Sequence, residues 1–420
     1  MRGFLHSFNG PMSTVGAFCE YLRKTGDRDT HLYEIGESPF KSPLEGPPPT
    51  FGETTYRIQV IDAFAQRRPV LVNFDWLHTR ASDPLEFAII LVLDSQIASA
   101  LHDYRLSRAG MDPERRRALQ RLLRYASSRG YDYNPFFYLM ESFHRNDQAT
   151  FQQQSTDVVT SLLYLNCMDC SHFDATGEVL LDPDALDFYW ALYGGRTLEE
   201  CGRAAVERFV QEYESYDLLH CLRVSYVCLL KMTLIHKRQP GRFVEKFHEY
   251  QTFVDTELGR NLAYENLLAV YYFAELVGGL MRVQPGMALE KAKRILWSTA
   301  WDVFLLRSPE FLLAPKQLPR VNLGYVCSAD RRLAELGELF TVLRLIIRAE
   351  SHEIIGPLLA MNLHKLEQKV DPESVRAVQA ITARSWPDFR GTVRRPPPKQ
   401  DRVLALARDL EMQLTNLCRR

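Results

Sequence analysis

Four carboxylates stand inside or directly after apolar stretches of the sequence, where a lone negative charge is costly. They are Asp94, Glu141, Asp302 and Asp330. Asp94 and Asp330 each follow a short apolar run, whereas Glu141 and Asp302 are flanked by aromatic and aliphatic residues. A divalent cation shared by several carboxylates offsets such a cost, and Mg²⁺ and Mn²⁺ prefer these oxygen ligands. The set therefore predicts an acidic site for Mg²⁺ or Mn²⁺.

Each of these acids also has an ordinary structural interpretation. Asp94 and Asp330 could cap the helix that follows each of them. Glu141 and Asp302 could face solvent or pair with nearby arginines. The candidate pairs are Glu141 with Arg145 and Asp302 with Arg307. Because no single acid is specific, the functional interpretation depends on the four meeting in space.

Two apolar runs would position the first and last of these acids. Residues 87–93 are seven consecutive apolar residues rich in branched side chains, which is typical of a strand covered on both faces. Residues 321–327 have strand character again and lead into Ser328 and Asp330. An acid at the end of such a strand lies where an α/β sheet opens to solvent. Further strands are predicted at 56–61 and 70–76.

The remaining pattern is mostly helical, with breaks at proline and glycine. The helices predicted in the middle of the chain are 149–165, 184–193, 197–214, 216–236, 240–257, 260–280 and 287–305. Further helices are predicted at 331–349 and 352–367. A proline-rich linker at 390–400 precedes a last amphipathic helix at 402–416, which could dock on the body of the protein or on a partner. Residues 1–55 favour irregular structure.

Six arginines crowd residues 115–129. Three of them, Arg117, Arg121 and Arg124, share one helical face opposite a stripe of leucines. Arginines on such a face can contact nucleic-acid phosphates independently of base sequence. They could equally form a solvated face with neighbouring acids. Their position between Asp94 and Glu141 favours a track for a nucleic-acid substrate.

Composition limits the class of protein. A net charge of −1 argues against a surface that binds nucleic acid on every side, but it allows a local basic strip. No continuous apolar run reaches the ~18 residues that span a bilayer, and no secretory signal is evident. We therefore expect a cytoplasmic protein without membrane association. Reduced thiols are expected for the eight cysteines, because the chain is long and shows no export signal. A zinc site is not expected at the close pair Cys167 and Cys170, because a second pair of ligands at a matching spacing is lacking.

The order of the acids resembles that of the PIN-like nuclease family. In that family an Asp ends the first strand, a Glu follows on a helix, another Asp lies on a later helix, and a strand leads into a Thr/Ser-x-Asp step. The matching segments are Leu93-Asp94-Ser95, Leu139-Met140-Glu141-Ser142, Ala300-Trp301-Asp302-Val303 and Ser328-Ala329-Asp330. The resemblance covers residues 87–145 and 287–345, so the helical stretch between them would be an insertion.

The resemblance implies an α/β, helix-dominated fold with a small parallel-sheet PIN-like core and a large all-α insertion. The chain would then consist of an N-terminal irregular or strand segment, the first part of the core, the insertion, the second part of the core, and a linker with a C-terminal helix. These segments are residues 1–86, 87–148, 149–286, 287–367 and 368–420.

The resemblance also implies a metal-dependent nuclease that hydrolyses phosphodiester bonds, with single-stranded RNA as the expected substrate. Asp94, Glu141, Asp302 and Asp330 would be both metal ligands and catalytic residues, and Ser328 would orient a carboxylate or a water. The alternative is a non-catalytic helical module for protein–protein interaction or regulation, whose acids are caps and surface charges. A protein partner or a homo-oligomer is possible under either hypothesis.

Overall fold

A computed structural model gives the fold between residues 14 and 419. The residues that it describes are 14–36, 38–42, 44, 46–53, 55–79, 86–108, 110–213, 218–238, 241–259, 262–277, 279–313, 320–350, 354–383 and 398–419. Within these residues the chain forms two β-sheets and a large number of helices. The fold is therefore mixed α/β and dominated by helices, as the sequence predicts.

Nine strands build the two sheets of the described chain. They are β1 (Thr30–Glu34), β2 (Thr50–Gly52), β3 (Arg57–Ile61), β4 (Val70–Val72), β5 (Glu86–Leu93), β6 (Asp132–Asn134), β7 (Arg320–Ser328), β8 (Thr341–Arg348) and β9 (Ile354–Ala360). One sheet has the order β2-β3-β7-β5-β6, with β7, β5 and β6 parallel. The other is antiparallel throughout, in the order β4-β1-β8-β9. The predicted parallel sheet is thus correct only for three strands, because β2 and β3 are also antiparallel.

The helices surround these sheets. They are α1 (Thr14–Thr25), α2 (Phe74–Thr79), α3 (Ser95–Arg105), α4 (Pro113–Ser127), α5 (Phe136–Arg145), α6 (Gln148–Asn166), α7 (Cys170–Thr176), α8 (Pro183–Tyr193), α9 (Leu198–Tyr213), α10 (Leu218–Arg238), α11 (Phe243–Phe253), α12 (Ala263–Phe273), α13 (Leu289–Leu306), α14 (Ser308–Leu313), α15 (Arg331–Gly337), α16 (Leu363–Glu367), α17 (Pro372–Ala383) and α18 (Gln400–Cys418). A π-helical turn, Val254–Leu258, extends α11.

The parallel strands β5 and β7 are direct neighbours in the five-stranded sheet. They pair in register from Glu86 opposite Arg320 to Leu93 opposite Cys327. Leu93 and Cys327 are fully buried, as expected where both faces of a strand are covered. Because the two strands run in the same direction, the chain leaves both at the same edge of the sheet. That edge is where Asp94 and the segment after Ser328 begin.

The helical block of residues 149–286 packs directly on the elements that follow these strands. Its predicted helices are present, although the predicted helix 260–280 ends at Phe273 and the short helix α7 was not predicted. Helix α6 lies against α3 and α5, and α10 lies against α13. By length and average hydropathy α10 could cross a membrane, yet 78% of its apolar window is buried inside the fold. A core helix passes the same test. The division of the chain at residues 149 and 286 remains a prediction.

Several predicted elements are wrong. The predicted helix 331–349 ends at Gly337 and the chain continues as β8, while the predicted helix 352–367 contains β9 and is helical only at its end, as α16. Strand β8 pairs with β1, and Thr30 lies opposite Arg348, so a partner far away in the sequence decides its structure. The stretch 1–55 was expected to be irregular but contains α1, β1 and β2, and the predicted strand 70–76 gives way to α2. Most of the predicted linker 390–400 lies outside the described residues.

The C-terminal helix α18 docks on the body of the protein, which decides between the two alternatives for it. It packs against α10 and α13 and buries Leu410 and Leu414. Tyr226 on α10 donates a hydrogen bond to Glu411 over 2.8 Å, and Lys293 on α13 forms an ion pair with the same carboxylate at 3.1 Å. Helix α18 therefore stabilises α10 and α13 by packing against both.

Leu414→Ala is expected to lower the free energy of unfolding by about 2–4 kcal/mol, because it removes a fully buried side chain and leaves a cavity. Met412 lies on the same helix with 61% of its surface exposed, so Met412→Ala should change stability by less than about 0.5 kcal/mol. Urea denaturation monitored by circular dichroism measures both. Equal effects of the two substitutions would contradict the docked position of α18.

Candidate active site

Four separate elements bring the four predicted acids to one cavity of about 760 Å³. Asp94 lies at the end of β5, Glu141 on α5, Asp302 on α13 and Asp330 at the start of α15, and all four line the cavity. Residues from opposite halves of the sequence thus meet at one place. A cavity of this size falls in the range of ~300–1,000 Å³ that holds small ligands or parts of larger ones.

Asp94 is held rigidly at the end of β5. Its side chain caps α3, accepting a hydrogen bond from the backbone N–H of Ile97 at 2.7 Å, and it also accepts one from the Ser328 hydroxyl. Only 7% of the residue is exposed. Burial raises the pKa of Asp94 to about 6, while the hydrogen bonds from Ser328 and the backbone act in the opposite direction. The capping interpretation of Asp94 is therefore correct, and the same carboxyl group also faces the cavity.

Ser328 connects the ends of β5 and β7. Its hydroxyl donates to Asp94 and accepts a hydrogen bond from the backbone N–H of Asp330 at 2.9 Å. Asp330 in turn caps α15 by accepting a hydrogen bond from the backbone N–H of Arg332 at 2.7 Å. Ser328 is fully buried, so this arrangement is shielded from competing water. The predicted role of Ser328 in orienting a carboxylate requires its hydrogen bond to Asp94.

Glu141 projects from α5 and has two partners. It accepts a hydrogen bond from the Ser95 hydroxyl, and it forms an ion pair with Arg145 one turn further along the helix. The pairing with Arg145 is thus present as the structural alternative predicts. Because 70% of the Arg145 side chain is exposed, this ion pair holds Glu141 only weakly.

Asp302 is in a different situation. No side-chain or backbone donor within the described part of the chain hydrogen-bonds to its carboxyl group. Burial, together with the negative charges of Asp330, Glu141 and Asp94, raises the pKa of Asp302 to about 7, while the Arg332 guanidinium acts in the opposite direction. A carboxylate without a donor and beside three others is unfavourable when ionised. Asp302 is therefore the acid to which the described residues offer no hydrogen-bond donor.

Arg307, the alternative partner of Asp302, is used elsewhere. It forms an ion pair with the buried Glu265 of α12. Glu310, just beyond α13, accepts a hydrogen bond from Tyr264 at 2.7 Å, and burial raises the pKa of Glu310 to about 7. These contacts join the end of α13 to the helical block. The block therefore holds the helix that carries Asp302.

The donor set suits a hard divalent cation. All four acids offer oxygen ligands, and a cation would offset the mutual repulsion that raises the pKa of Asp302. In their present orientations, no three potential ligands among the described residues are grouped as a metal site. The Asp94 and Glu141 oxygens are turned toward Ser328, Ser95 and Arg145. A bound ion would therefore have to compete with these partners for the Asp94 and Glu141 oxygens.

Comparison with known proteins identifies no relative: the chain matches no family model, no curated protein and no solved structure. The functional assignment therefore depends on the residues and the geometry of the cavity.

The predicted nucleic-acid-binding arginines do not line the cavity. Arg117, Arg121 and Arg124 are exposed on α4, and Arg121 lies 3.8 Å from Glu53. Their role in binding nucleic acid remains a prediction. Arg115 lines the cavity instead. It precedes Leu119 by one helical turn and so lies on the buried face of α4. That spacing is visible in the sequence and distinguishes Arg115 from the arginines of the exposed face.

Proposed function

We propose that the chain is a metal-dependent nuclease of PIN-like type that hydrolyses phosphodiester bonds in single-stranded RNA. The observation that carries the proposal is the convergence of Asp94, Glu141, Asp302 and Asp330 on one cavity at the edge of β5 and β7. Among the described residues Asp302 has no hydrogen-bond donor for its charge, and a cation is the partner that best completes its surroundings. Mg²⁺ or Mn²⁺ fits the oxygen donors.

When bound, the ion supplies an activated water and neutralises charge on the phosphate and on the leaving oxygen. Asp94, Glu141, Asp302 and Asp330 would hold it. Ser328 fixes the orientation of Asp94, and the cap on α15 fixes Asp330. The walls of the cavity restrict bulk water around the substrate, which strengthens each of these interactions. No covalent intermediate with the protein is required.

The alternative function is a non-catalytic interaction or regulatory module. The helix caps formed by Asp94 and Asp330 and the Glu141–Arg145 ion pair are what that hypothesis expects. It gives no reason for Asp302, whose ionised form is disfavoured and finds no hydrogen-bond donor in the part of the chain that the structure describes. We therefore prefer the nuclease.

The test of the nuclease is Mn²⁺-dependent cleavage of 5′-labelled single-stranded RNA by the full chain, followed on denaturing gels. Parallel reactions with single-stranded DNA and duplex RNA define the substrate class, and EDTA removes the ion. Cleavage that persists in EDTA, or that survives loss of the acids, would show that another site or a contaminant is responsible.

Glu141→Gln is expected to lower kcat about 100-fold or more, because the amide keeps the hydrogen bond from Ser95 but is a poor cation ligand. Arg145→Gln is the matched control, since it breaks the same ion pair and leaves the carboxylate in place. It should keep kcat within a few-fold of wild type. Rates that fall equally in both variants would mean that the ion pair, and not a metal ligand, is what matters.

A further inference from the structure

Arg115 lines the acidic cavity but has no part in the proposed hydrolysis. Among the arginines that crowd residues 115–129, it is the one whose side chain lines the acidic cavity. It lies in the first turn of α4, next to Glu114. The others on this helix that were expected to bind nucleic acid point to solvent.

The loop before β3 is fastened to the start of α4 and fixes one wall beside Arg115. The Glu114 carboxylate accepts hydrogen bonds from the backbone N–H groups of Glu53 at 3.2 Å and Thr55 at 3.0 Å. Tyr56 follows directly and also lines the cavity. The Arg115 guanidinium carbon lies 5.7 Å from the centre of the Tyr56 ring, so the aromatic face orients it.

The hydrogen-bonding capacity of Arg115 is not used up by the protein. Its Nε is buried and has no acceptor in the described structure. Its Nη2 lies 3.6 Å from the Asp103 carboxylate, a long contact, and Asp103 has a closer partner in Arg108 at 2.9 Å. A buried guanidinium N–H without an acceptor is unfavourable, and it is satisfied when an anion enters.

The anion that fits is a phosphate. The guanidinium group presents parallel N–H donors that match phosphate oxygens, and it lines the same cavity as the four acids. We propose that Arg115 binds a phosphate of the nucleic acid and holds the phosphodiester against Asp94, Glu141, Asp302 and Asp330. This inference rests on the proposed nuclease and names the residue that positions its substrate.

The test measures binding separately from cleavage. A fluorescein-labelled single-stranded RNA is titrated with the full chain in Ca²⁺ and followed by fluorescence anisotropy, and gels verify that the RNA stays intact. Arg115→Gln should weaken binding by about 10- to 100-fold, as expected for loss of a hydrogen bond to a charged group. It should also lower the slope of log K against log salt by about 0.7. Arg115→Lys should restore part of the affinity.

Arg408→Gln is the matched control, because it removes the same charge from an exposed position on α18, away from the cavity. It should weaken binding by less than about threefold. Thermal melting of each variant identifies any that does not fold, and Arg115→Lys then carries the comparison.

The possible outcomes separate this inference from the proposed nuclease. Equal weakening by Arg115→Gln and Arg408→Gln, or no binding of RNA by the wild type, overturns the phosphate site. RNA binding that depends on Arg115, without cleavage in Mn²⁺ or Mg²⁺, supports the phosphate site and overturns the nuclease. Cleavage by the wild type with unchanged binding and KM in Arg115→Gln leaves the nuclease standing and overturns the role of Arg115.

Discussion

Replacing Asp302 by asparagine is expected to abolish Mn²⁺-dependent cleavage and to raise the melting temperature of the metal-free protein. The loss of activity should reach about 10³-fold, because a cation ligand is removed from the centre of the acid group. The gain in stability follows from electrostatics. The pKa of Asp302 is raised to about 7 by burial and by Asp330, Glu141 and Asp94, so its ionised form disfavours folding at pH 8. The isosteric amide removes that repulsion.

The expected increase in melting temperature at pH 8 in EDTA is about 2–6 °C, measured by differential scanning calorimetry. Asp409→Asn, at an exposed position on α18, makes the same chemical change away from the cavity and should alter neither activity nor stability appreciably. A variant that is both less stable and fully active would assign Asp302 a structural role. An increase in stability together with a loss of activity is typical of a functional site that stores unfavourable charge.

The acids of the candidate site could be found from the sequence because burial of charge leaves a local signal. Apolar runs predict where β5 and β7 lie, and chain direction then places Asp94 and Asp330 at the same edge of a sheet. Glu141 and Asp302 stand out because a charge in an aromatic setting is costly. What local pattern could not predict was whether all four would meet, since that depends on how α5 and α13 pack on the sheet.

The failures of the sequence prediction have a common physical origin in long-range pairing. Residues 341–348 were predicted to be helical, but four of these eight residues are β-branched, and pairing with β1 makes them a strand. The same pairing makes an ordered sheet of residues near the N-terminus that were expected to be irregular. The sequence predicted no separate role for Arg115, because the crowded arginines indicated binding through the exposed face of α4, whereas Arg115 lines the cavity.

Metal binding and proton binding should compete in this cavity, which gives a test that needs no substrate. The pKa values of Asp94 and Asp302 are raised to about 6 and about 7 from an unfolded value of 3.8. In that range the folded protein binds more protons than the unfolded chain, so the contribution of these groups to stability falls as the pH rises from about 4 to 7. Above pH 7 the repulsion is fully present.

Mn²⁺ should reverse this loss, and more strongly at pH 8 than at pH 6. At pH 8 both carboxyl groups are free to bind the ion, and an excess of 100 times Kd stabilises the folded state by about 2.7 kcal/mol. At pH 6 a proton must first leave Asp302, which weakens the apparent affinity about tenfold and removes about 1.4 kcal/mol of that stabilisation. Calorimetry at both pH values, with Mn²⁺ or EDTA, measures the difference.

Because Asp302→Asn removes the group that titrates near pH 7, it should remove most of the pH dependence and most of the response to Mn²⁺. A Mn²⁺ response of equal size at pH 6 and pH 8, or one that persists in Asp302→Asn, would place the ion elsewhere on the protein.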